Sequence, residues 1–218
     1  MWHRLIKIAK ENIGFIMLML VLLSVRSSIA DWYHVPTGSM QPTIAIGDRI
    51  FVDKAAYRLD IPFTDIPLSD PSVPAHGDIV IINSAKAETR LVKRVVGLPG
   101  DTVRLSNNHL IVNKVTYDYD KKTDNLFVES SKNTHHMVKL TDTKAPSRQA
   151  QSYQSFGPVT VPSDHVLVLG DNRNHSADSR VHGFVPLKEI AGKASAVLWS
   201  WPEDSTFPDF QTWWKPLK

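Results

Sequence analysis

Residues 90–101 read Arg90-Leu91-Val92-Lys93-Arg94-Val95-Val96-Gly97-Leu98-Pro99-Gly100-Asp101, an aliphatic and basic run that ends in a turn. Side chains alternate between the two faces of an extended chain, so Leu91 and Val95 share one face while Val92 and Val96 share the other. The last four residues contain a proline and a glycine, which favour a turn. The stretch therefore predicts a β-strand that ends in a tight turn.

The same alternation places Lys93 on the face of Leu91 and Val95, and Arg94 on the opposite face. At least one of these basic side chains must point with aliphatic neighbours into a sheet face. A desolvated lysine can lose its proton and act as a general base, whereas an arginine stays protonated. Lys93 is therefore the candidate base, and we expect substitutions at Arg94 to be far milder. The alternative is an edge strand from which both side chains reach water.

Period-two patterns continue on both sides of this strand. They predict further strands at residues 49–53, 78–83, 102–105, 109–113, 159–161, 165–169 and 194–199. Residues 116–157 are polar and show little periodicity, which indicates an insertion. The predicted fold class is mostly β. We expect a main β domain built from residues 31–115 and 158–218, with a small β/loop subdomain inserted at residues 116–157.

A candidate nucleophile lies in residues 36–43, which read Pro-Thr-Gly-Ser-Met-Gln-Pro-Thr. The prolines and the glycine predict a stiff, irregular loop. Such a loop can hold the Ser39 hydroxyl at a fixed angle beside free backbone N–H groups, which is what an acyl-transfer nucleophile needs. The alternative is a proline-rich turn that happens to contain a serine.

A second polar loop, residues 170–180, directly follows the apolar strand predicted to end at Leu169. It reads Gly-Asp-Asn-Arg-Asn-His-Ser-Ala-Asp-Ser-Arg. A loop of acids, amides and arginines after a buried strand usually cross-links itself through Asp–Arg pairs and bonds to the backbone. A structural role is therefore expected for most of these residues.

Composition excludes several classes of protein. Cysteine is absent, so there is no thiol nucleophile, disulfide framework or thiolate zinc site. The nine histidines show neither a catalytic triad context nor the spacing of a His-Glu-x-x-His metal site. A net charge of +3 without an arginine-rich face does not indicate nucleic-acid binding. We expect no metal, no cofactor and no nucleic-acid partner.

The N-terminal 30 residues carry an uncharged apolar run at residues 13–25, preceded by Arg4, Lys7 and Lys10. Extended through Ala30, the run predicts one N-terminal transmembrane helix behind a short cytoplasmic N-terminus. The alternative is a cleaved signal peptide, since residues 28–30 are suited to a signal peptidase. Both interpretations send the rest of the chain across the membrane.

Three sequence boxes, in this order behind an apolar segment, resemble those of bacterial type I signal peptidases (leader peptidases). They are residues 36–43 with Gly47-Asp48, residues 93–101 and residues 170–180. The resemblance implies a membrane-anchored serine endopeptidase that removes N-terminal signal peptides from exported preproteins after small residues, in the Ala-X-Ala pattern. It also implies that the main β domain, residues 31–115 and 158–218, is catalytic and forms an antiparallel, sheet or barrel-like structure.

The resemblance also implies roles for individual residues. Ser39 would be the nucleophile and Lys93 the general base. The oxyanion hole would consist of the Ser39 backbone N–H and the hydroxyl of Thr37, although family members commonly have serine at that position. Ser176 would hydrogen-bond the lysine, and Asp178 and Arg180 would hold their loop in place.

The implied location is the bacterial inner (cytoplasmic) membrane, with a single pass and the catalytic domain on the periplasmic or extracytoplasmic side. The expected partners are signal-peptide-bearing preproteins and membrane lipid, and we expect a monomer. Two alternatives stay open at this point. One is a conjugative-transfer peptidase of the same superfamily that processes a pilin precursor, and the other is an inactive, membrane-anchored β domain that binds peptides.

Overall fold

The structure is a computed structural model, and it describes residues 2–64, 66–70, 72–132, 134–140, 154–202, 205–209 and 212–217. Short strands dominate this part of the chain, as the period-two patterns predict. The strands are β1 Ala30–His34, β2 Asp48–Asp53, β3 Ile79–Ser84, β4 Thr89–Gly97, β5 Thr102–Ser106, β6 His109–Val112, β7 Val115–Thr116, β8 Asp118–Lys121, β9 Leu126–Ser130, β10 His135–Lys139, β11 Phe156–Thr160, β12 His165–Leu169, β13 Val185–Pro186, β14 Ile190–Ser200 and β15 Lys215–Pro216.

In the part of the chain that the structure describes, three helices can be followed from end to end. They are α1 Trp2–Glu11, α2 Ile13–Ser28 and α3 Ser179–His182. Three single 3₁₀ turns lie at Gly38–Met40, Arg173–His175 and Leu187–Glu189. The first two of these turns fall in the two polar loops singled out in the sequence.

The largest sheet has eight strands, in the order β1-β2-β14-β3-β4-β12-β13, with β15 added to β14. All its pairings are antiparallel, so the prediction of a mostly β, antiparallel fold is confirmed. The expected barrel-like closure is wrong for the described residues, because the strand order ends at β1 and at β13 without joining them. Strands as short as the two residues of β13 offer too few backbone groups to close the sheet.

Two smaller sheets pack beside the large one, in the orders β11-β5-β6-β7 and β10-β9-β8. The three-stranded sheet β8–β10 lies within the predicted insertion at residues 116–157, whose residues 141–153 are outside the described part. Its backbone is linked to the loop after β12, because Lys139 N donates a hydrogen bond to the Asp171 carbonyl oxygen (2.8 Å). The domain boundaries themselves stay a prediction.

Strand β4 lies inside the large sheet, between β3 and β12, and is covered on both faces. Val95 packs with residues such as Val80 and Val168, while Val96 packs on the opposite side with Leu167. Each fully buried aliphatic side chain of this kind contributes about 1.5–3 kcal/mol. The alternation predicted for this strand is thus confirmed. Aliphatic packing on both faces fixes the position of the strand that carries Lys93 and Arg94.

The transmembrane helix expected within residues 1–30 is not supported by the structure. The apolar segment forms α2, whose 16 residues span about 24 Å, against roughly 30 Å for the hydrocarbon core of a bilayer. Within the described residues, no helix combines the length and the apolar character needed to cross a membrane. The side chains of α2 are nonetheless largely exposed, including Phe15, Leu18 and Leu22.

Candidate active site

Ser39 and Lys93 meet although 54 residues separate them in sequence. Lys93 Nζ and Ser39 Oγ lie 2.8 Å apart, within hydrogen-bond distance, and Nζ also donates to the Val92 carbonyl oxygen at 2.9 Å. Ser39 sits in the 3₁₀ turn Gly38–Met40, and Lys93 projects from the middle of β4. A hydroxyl and an amine at this distance are placed for direct proton transfer.

The loop that carries Ser39 is fixed by its neighbours on both sides. Val35, Met40 and Ile44 are buried in the hydrophobic core. Thr43 Oγ1 donates a hydrogen bond of 2.5 Å to Asp171 Oδ2. The stiff loop predicted from its prolines is therefore also anchored by apolar packing, which the serine motif alone does not reveal.

Lys93 is buried without an ion-pair partner among the described residues, and its exposed fraction is only 2%. Burial lowers the pKa of its amine to about 8, because a charged amine is costly to remove from water. The charges of Asp178 and Asp171 oppose this effect, and that of Arg180 adds to it. At pH 7 about a tenth of the amine is then neutral, far more than for a free lysine, and only the neutral form can accept a proton.

Arg94, the next residue, is buried as deeply, so the alternative in which both basic side chains reach water is wrong. Its guanidinium donates two hydrogen bonds of 2.8 Å each to the Asp171 carboxylate and a third, of 2.7 Å, to the Gly77 carbonyl oxygen. Burial alone would raise the pKa of Asp171, but the charge and hydrogen bonds of Arg94 hold it below its ordinary value. Removing the Arg94 charge would leave the buried Asp171 carboxylate unpaired, while the expectation that Arg94 substitutions affect cleavage less than those at Lys93 stays a prediction.

The loop of residues 170–180 is hydrogen-bonded to the turn that carries Ser39. Asn172 N donates to the Ser39 carbonyl oxygen at 3.0 Å, and Asn172 Nδ2 donates to that of Gly38 at 3.1 Å. Gly170 allows this approach, because a Cβ there would lie 2.5 Å from the Ser39 carbonyl oxygen and 2.3 Å from Ser176 Oγ. The sequence places Gly170 and Asn172 in one polar loop, but only the contacts show that this loop holds the backbone of Ser39.

Asp178 and Arg180 form a buried pair at the start of α3. Arg180 Nε and Nη2 donate to the two carboxylate oxygens at 2.8 and 2.7 Å, and Gly170 N donates to Asp178 Oδ2 at 3.0 Å. Burial alone would raise the pKa of Asp178, but these hydrogen bonds and the arginine charge keep it below its ordinary value. The carboxylate is therefore ionised and fixed within range of the Lys93 amine.

The remaining predicted site residues flank this centre. Ser176 is 6% exposed and packs against Gly170, but its hydroxyl makes no hydrogen bond to Lys93 here. Thr37 is exposed and extended, and its hydroxyl does not cap the 3₁₀ turn that follows. The supporting role of Ser176 and the oxyanion role of Thr37 stay predictions. Among the described residues, no group of His, Asp and Glu is arranged to hold a metal ion.

Comparisons with known proteins agree on one family. The sequence model of the family described as "Signal peptidase, peptidase S26" matches residues 7–199. Signal peptidase I of Pseudomonas aeruginosa is 32% identical over 225 residues, covering 90% of this chain and 75% of that protein. Signal peptidase I P of Bacillus subtilis subsp. natto is 34% identical over 185 residues, covering 84% of each. The crystal structure of a signal peptidase I from Enterococcus faecalis, 28% identical, overlaps 56% of this chain and 97% of that one at a TM-score of 0.36.

Proposed function

The chain belongs to the signal peptidase family, peptidase S26, and from that premise we propose that Ser39 and Lys93 are the catalytic dyad with which it cleaves signal peptides. That it is a serine peptidase acting on signal peptides follows from the family. The observation that supports these two residues is the 2.8 Å contact between Lys93 Nζ and Ser39 Oγ, made by a lysine that is buried and unpaired in the described structure.

The proposed reaction proceeds in two stages. Neutral Lys93 accepts the Ser39 hydroxyl proton while Oγ attacks the carbonyl carbon of the last signal-peptide residue. The lysine then gives this proton to the leaving amine of the mature protein, and an acyl-enzyme remains. A water molecule, deprotonated by the neutral lysine, hydrolyses the ester and restores Ser39.

Charge develops on the substrate carbonyl oxygen in both stages and needs nearby donors. We assign this role to the Ser39 backbone N–H and the Thr37 hydroxyl. Ser176, Asp178 and Arg180 would act behind the dyad, with Ser176 turning its hydroxyl to the lysine and the Asp178–Arg180 pair keeping the loop in register. The exposure of Thr37 and the burial of the other three support these assignments.

The edge of β4 supports a docking mode for the substrate. Among the described residues, β12 pairs with β4 only from Arg94 to Gly97, so this edge has no strand partner along residues 90–93, next to Ser39. An extended peptide can add to such an edge as a further strand. Side chains two residues apart then point to the same side, so the first and third residues before the cut would face the enzyme together. This arrangement fits the expected preference for small residues at both positions.

We further propose that the chain works as a monomer on the extracytoplasmic face of the bacterial inner membrane, held to lipid by residues 1–30. Exposed apolar side chains along α2 support this location. At its end, the Arg26 guanidinium stacks over the Trp32 ring at 4.6 Å, an arrangement suited to a lipid–water interface. Intact-mass analysis of membrane-extracted protein tests whether the segment is retained. A mature chain that starts at Asp31 would refute the anchor.

The decisive experiment is cleavage of a purified preprotein with an Ala-X-Ala site by the detergent-solubilised full chain. Ser39→Ala and Lys93→Ala should abolish cleavage, while Ser163→Ala, an exposed serine in a turn, should have no effect. N-terminal sequencing of the product should give the mature protein. Peptide binding without cleavage by the unaltered chain would point to the inactive binding domain. Cleavage of a pilin precursor alone would point to the conjugative branch.

A further inference from the structure

We propose that Glu129 of β9 is a positioning residue, through which the three-stranded sheet β8–β10 is joined to the loop that holds Ser39. The proposal rests on the dyad assigned above. Glu129 and Arg173 have no exposed surface, and two hydrogen bonds of 2.6 Å each join the carboxylate to the guanidinium. The Tyr119 hydroxyl donates a further hydrogen bond to Glu129.

Arg173 connects Glu129 to the backbone of the loop that holds the nucleophile. Its Nε donates to the Gly170 carbonyl oxygen at 3.2 Å, and its own carbonyl oxygen accepts a bond of 2.6 Å from Arg180 Nη2. The preceding residue, Asn172, is the one that donates to the backbone of Ser39 and Gly38. The guanidinium is therefore the internal support of the loop that fixes the serine.

A second connection runs from β10 to the same loop. The Lys139 N–H holds the Asp171 backbone, and His136 Nε2 lies 3.2 Å from Glu129 Oε1 and 4.0 Å from Asp171 Oδ1. Asp171 in turn accepts hydrogen bonds from Arg94 and from Thr43 in the serine loop. The buried series of ionisable side chains thus begins in the inserted sheet and ends beside the dyad.

Removal of the Glu129 charge would leave Arg173 charged and unpaired in the interior, and the loop around it would have to rearrange. The serine would move with Asn172, and a displacement of about 1 Å can cost a factor of about 10² in rate. Water that reached Lys93 in the rearranged protein would reduce the desolvation of its amine, which is the largest cause of its lowered pKa. Its pKa would then rise towards the ordinary value for lysine, and the pH–rate profile would move to higher pH.

Glu129→Gln in the full chain is the direct test, with Val128→Ala as its matched control. Val128 is buried in the same strand but points to the opposite face. For Glu129→Gln we expect kcat to fall by about 10- to 100-fold, KM to change less than threefold, and the rising limb of kcat against pH to move upward. For Val128→Ala we expect a lower melting temperature with kcat, KM and the pH limb unchanged within about twofold.

The double variant Glu129→Gln/Arg173→Gln guards against simple misfolding, because it removes both charges of the pair and leaves neither without its partner. We expect its kcat to lie between those of Glu129→Gln and the unaltered chain. The proposal would be overturned if Glu129→Gln left kcat and the pH limb unchanged. It would also be overturned if the fold-loss of kcat in the double variant equalled the product of the fold-losses in Glu129→Gln and Arg173→Gln measured singly. If Ser39→Ala or Lys93→Ala still cleaves the preprotein, the dyad itself is wrong, which is a separate result.

Discussion

Lys93 and Arg94 are neighbours on one strand, carry the same formal charge and are equally buried, at 2% and 1% exposed, yet the protein treats them in opposite ways. On one face of β4, the lysine meets a serine hydroxyl and a backbone carbonyl. On the other face, the arginine meets the Asp171 carboxylate in a two-bond pair.

The difference shows how one strand can supply both reactivity and rigidity. A buried cation without a counter-charge in contact becomes easier to deprotonate, so Lys93 is neutral, and able to accept a proton, at a lower pH than a free lysine, at the cost of stability. A buried cation whose charge and donors are satisfied stays charged, and Arg94 thereby fixes the loop that faces the dyad. The nature of the contacting group decides the outcome, because the burial is the same.

The largest difference in cleavage rate is expected when Lys93 and Arg94 are each replaced by the other basic residue. Lys93→Arg should lower kcat by about 10⁴-fold or more, because a guanidinium cannot accept the serine proton. Arg94→Lys keeps the charge beside Asp171 and should retain measurable cleavage. Initial rates on a preprotein measure both. Equal losses in the two variants would mean that the faces of β4 do not differ in role.

Removing the Arg94 charge should lower the free energy of unfolding as well as the cleavage rate. Arg94→Met leaves the fully buried Asp171 carboxylate without its partner and should cost about 3–5 kcal/mol of unfolding free energy. Denaturant unfolding measures the loss. The double variant Arg94→Met/Asp171→Leu removes both charges and should recover most of it, whereas no recovery would show that the pair is not the cause.

Thr37 tests the reactive side of the comparison without touching either cation. Thr37→Val keeps the shape but removes the proposed oxyanion donor, so kcat should fall by about 10²–10³-fold, or roughly 3–4 kcal/mol, with little change in KM. Thr37→Ser keeps the hydroxyl and serves as the control. Near-normal turnover by the valine variant would leave the Ser39 backbone N–H as the only proposed donor.

Lys93→Met should make the protein more stable although it is inactive. Lowering the pKa of Lys93 to about 8 costs about 3 kcal/mol of folding stability while the amine is protonated. The unfolded chain binds this proton more tightly than the folded one, so the cost is fully present below pH 8 and disappears as pH rises towards about 10.4. Unfolding free energies at pH 7 and pH 10 should therefore show a clearly larger gain for the methionine variant at pH 7 than at pH 10.

The smallest expected effect is the pH dependence of the unaltered enzyme. Because the neutral amine is the active form, kcat/KM should rise about tenfold per pH unit and level off above a pKa of about 8. At pH 7 the activity should thus be roughly tenfold below its plateau. A limb centred at the ordinary lysine value would show that Lys93 is not desolvated in the free enzyme.

The sequence alone determined the features that depend on local order. The alternation in residues 90–96 predicted β4 and the facing of its two cations, and the prolines around Ser39 predicted an irregular loop. The resemblance of three boxes to type I signal peptidases gave the family, which the comparisons confirm. Periodicity and turn chemistry are properties of a few neighbouring residues, so they can be read without knowledge of the fold.

Only the tertiary structure decided which groups meet. Asp171 reaches Arg94 across 77 residues and Glu129 reaches Arg173 across 44, and no sequence period encodes either partner. The open edges of the large sheet and the 16-residue length of α2 likewise differ from the sequence-based expectation. Whether a buried charge is satisfied depends on strand order and sheet packing, because side chains distant in sequence become neighbours only when these are fixed.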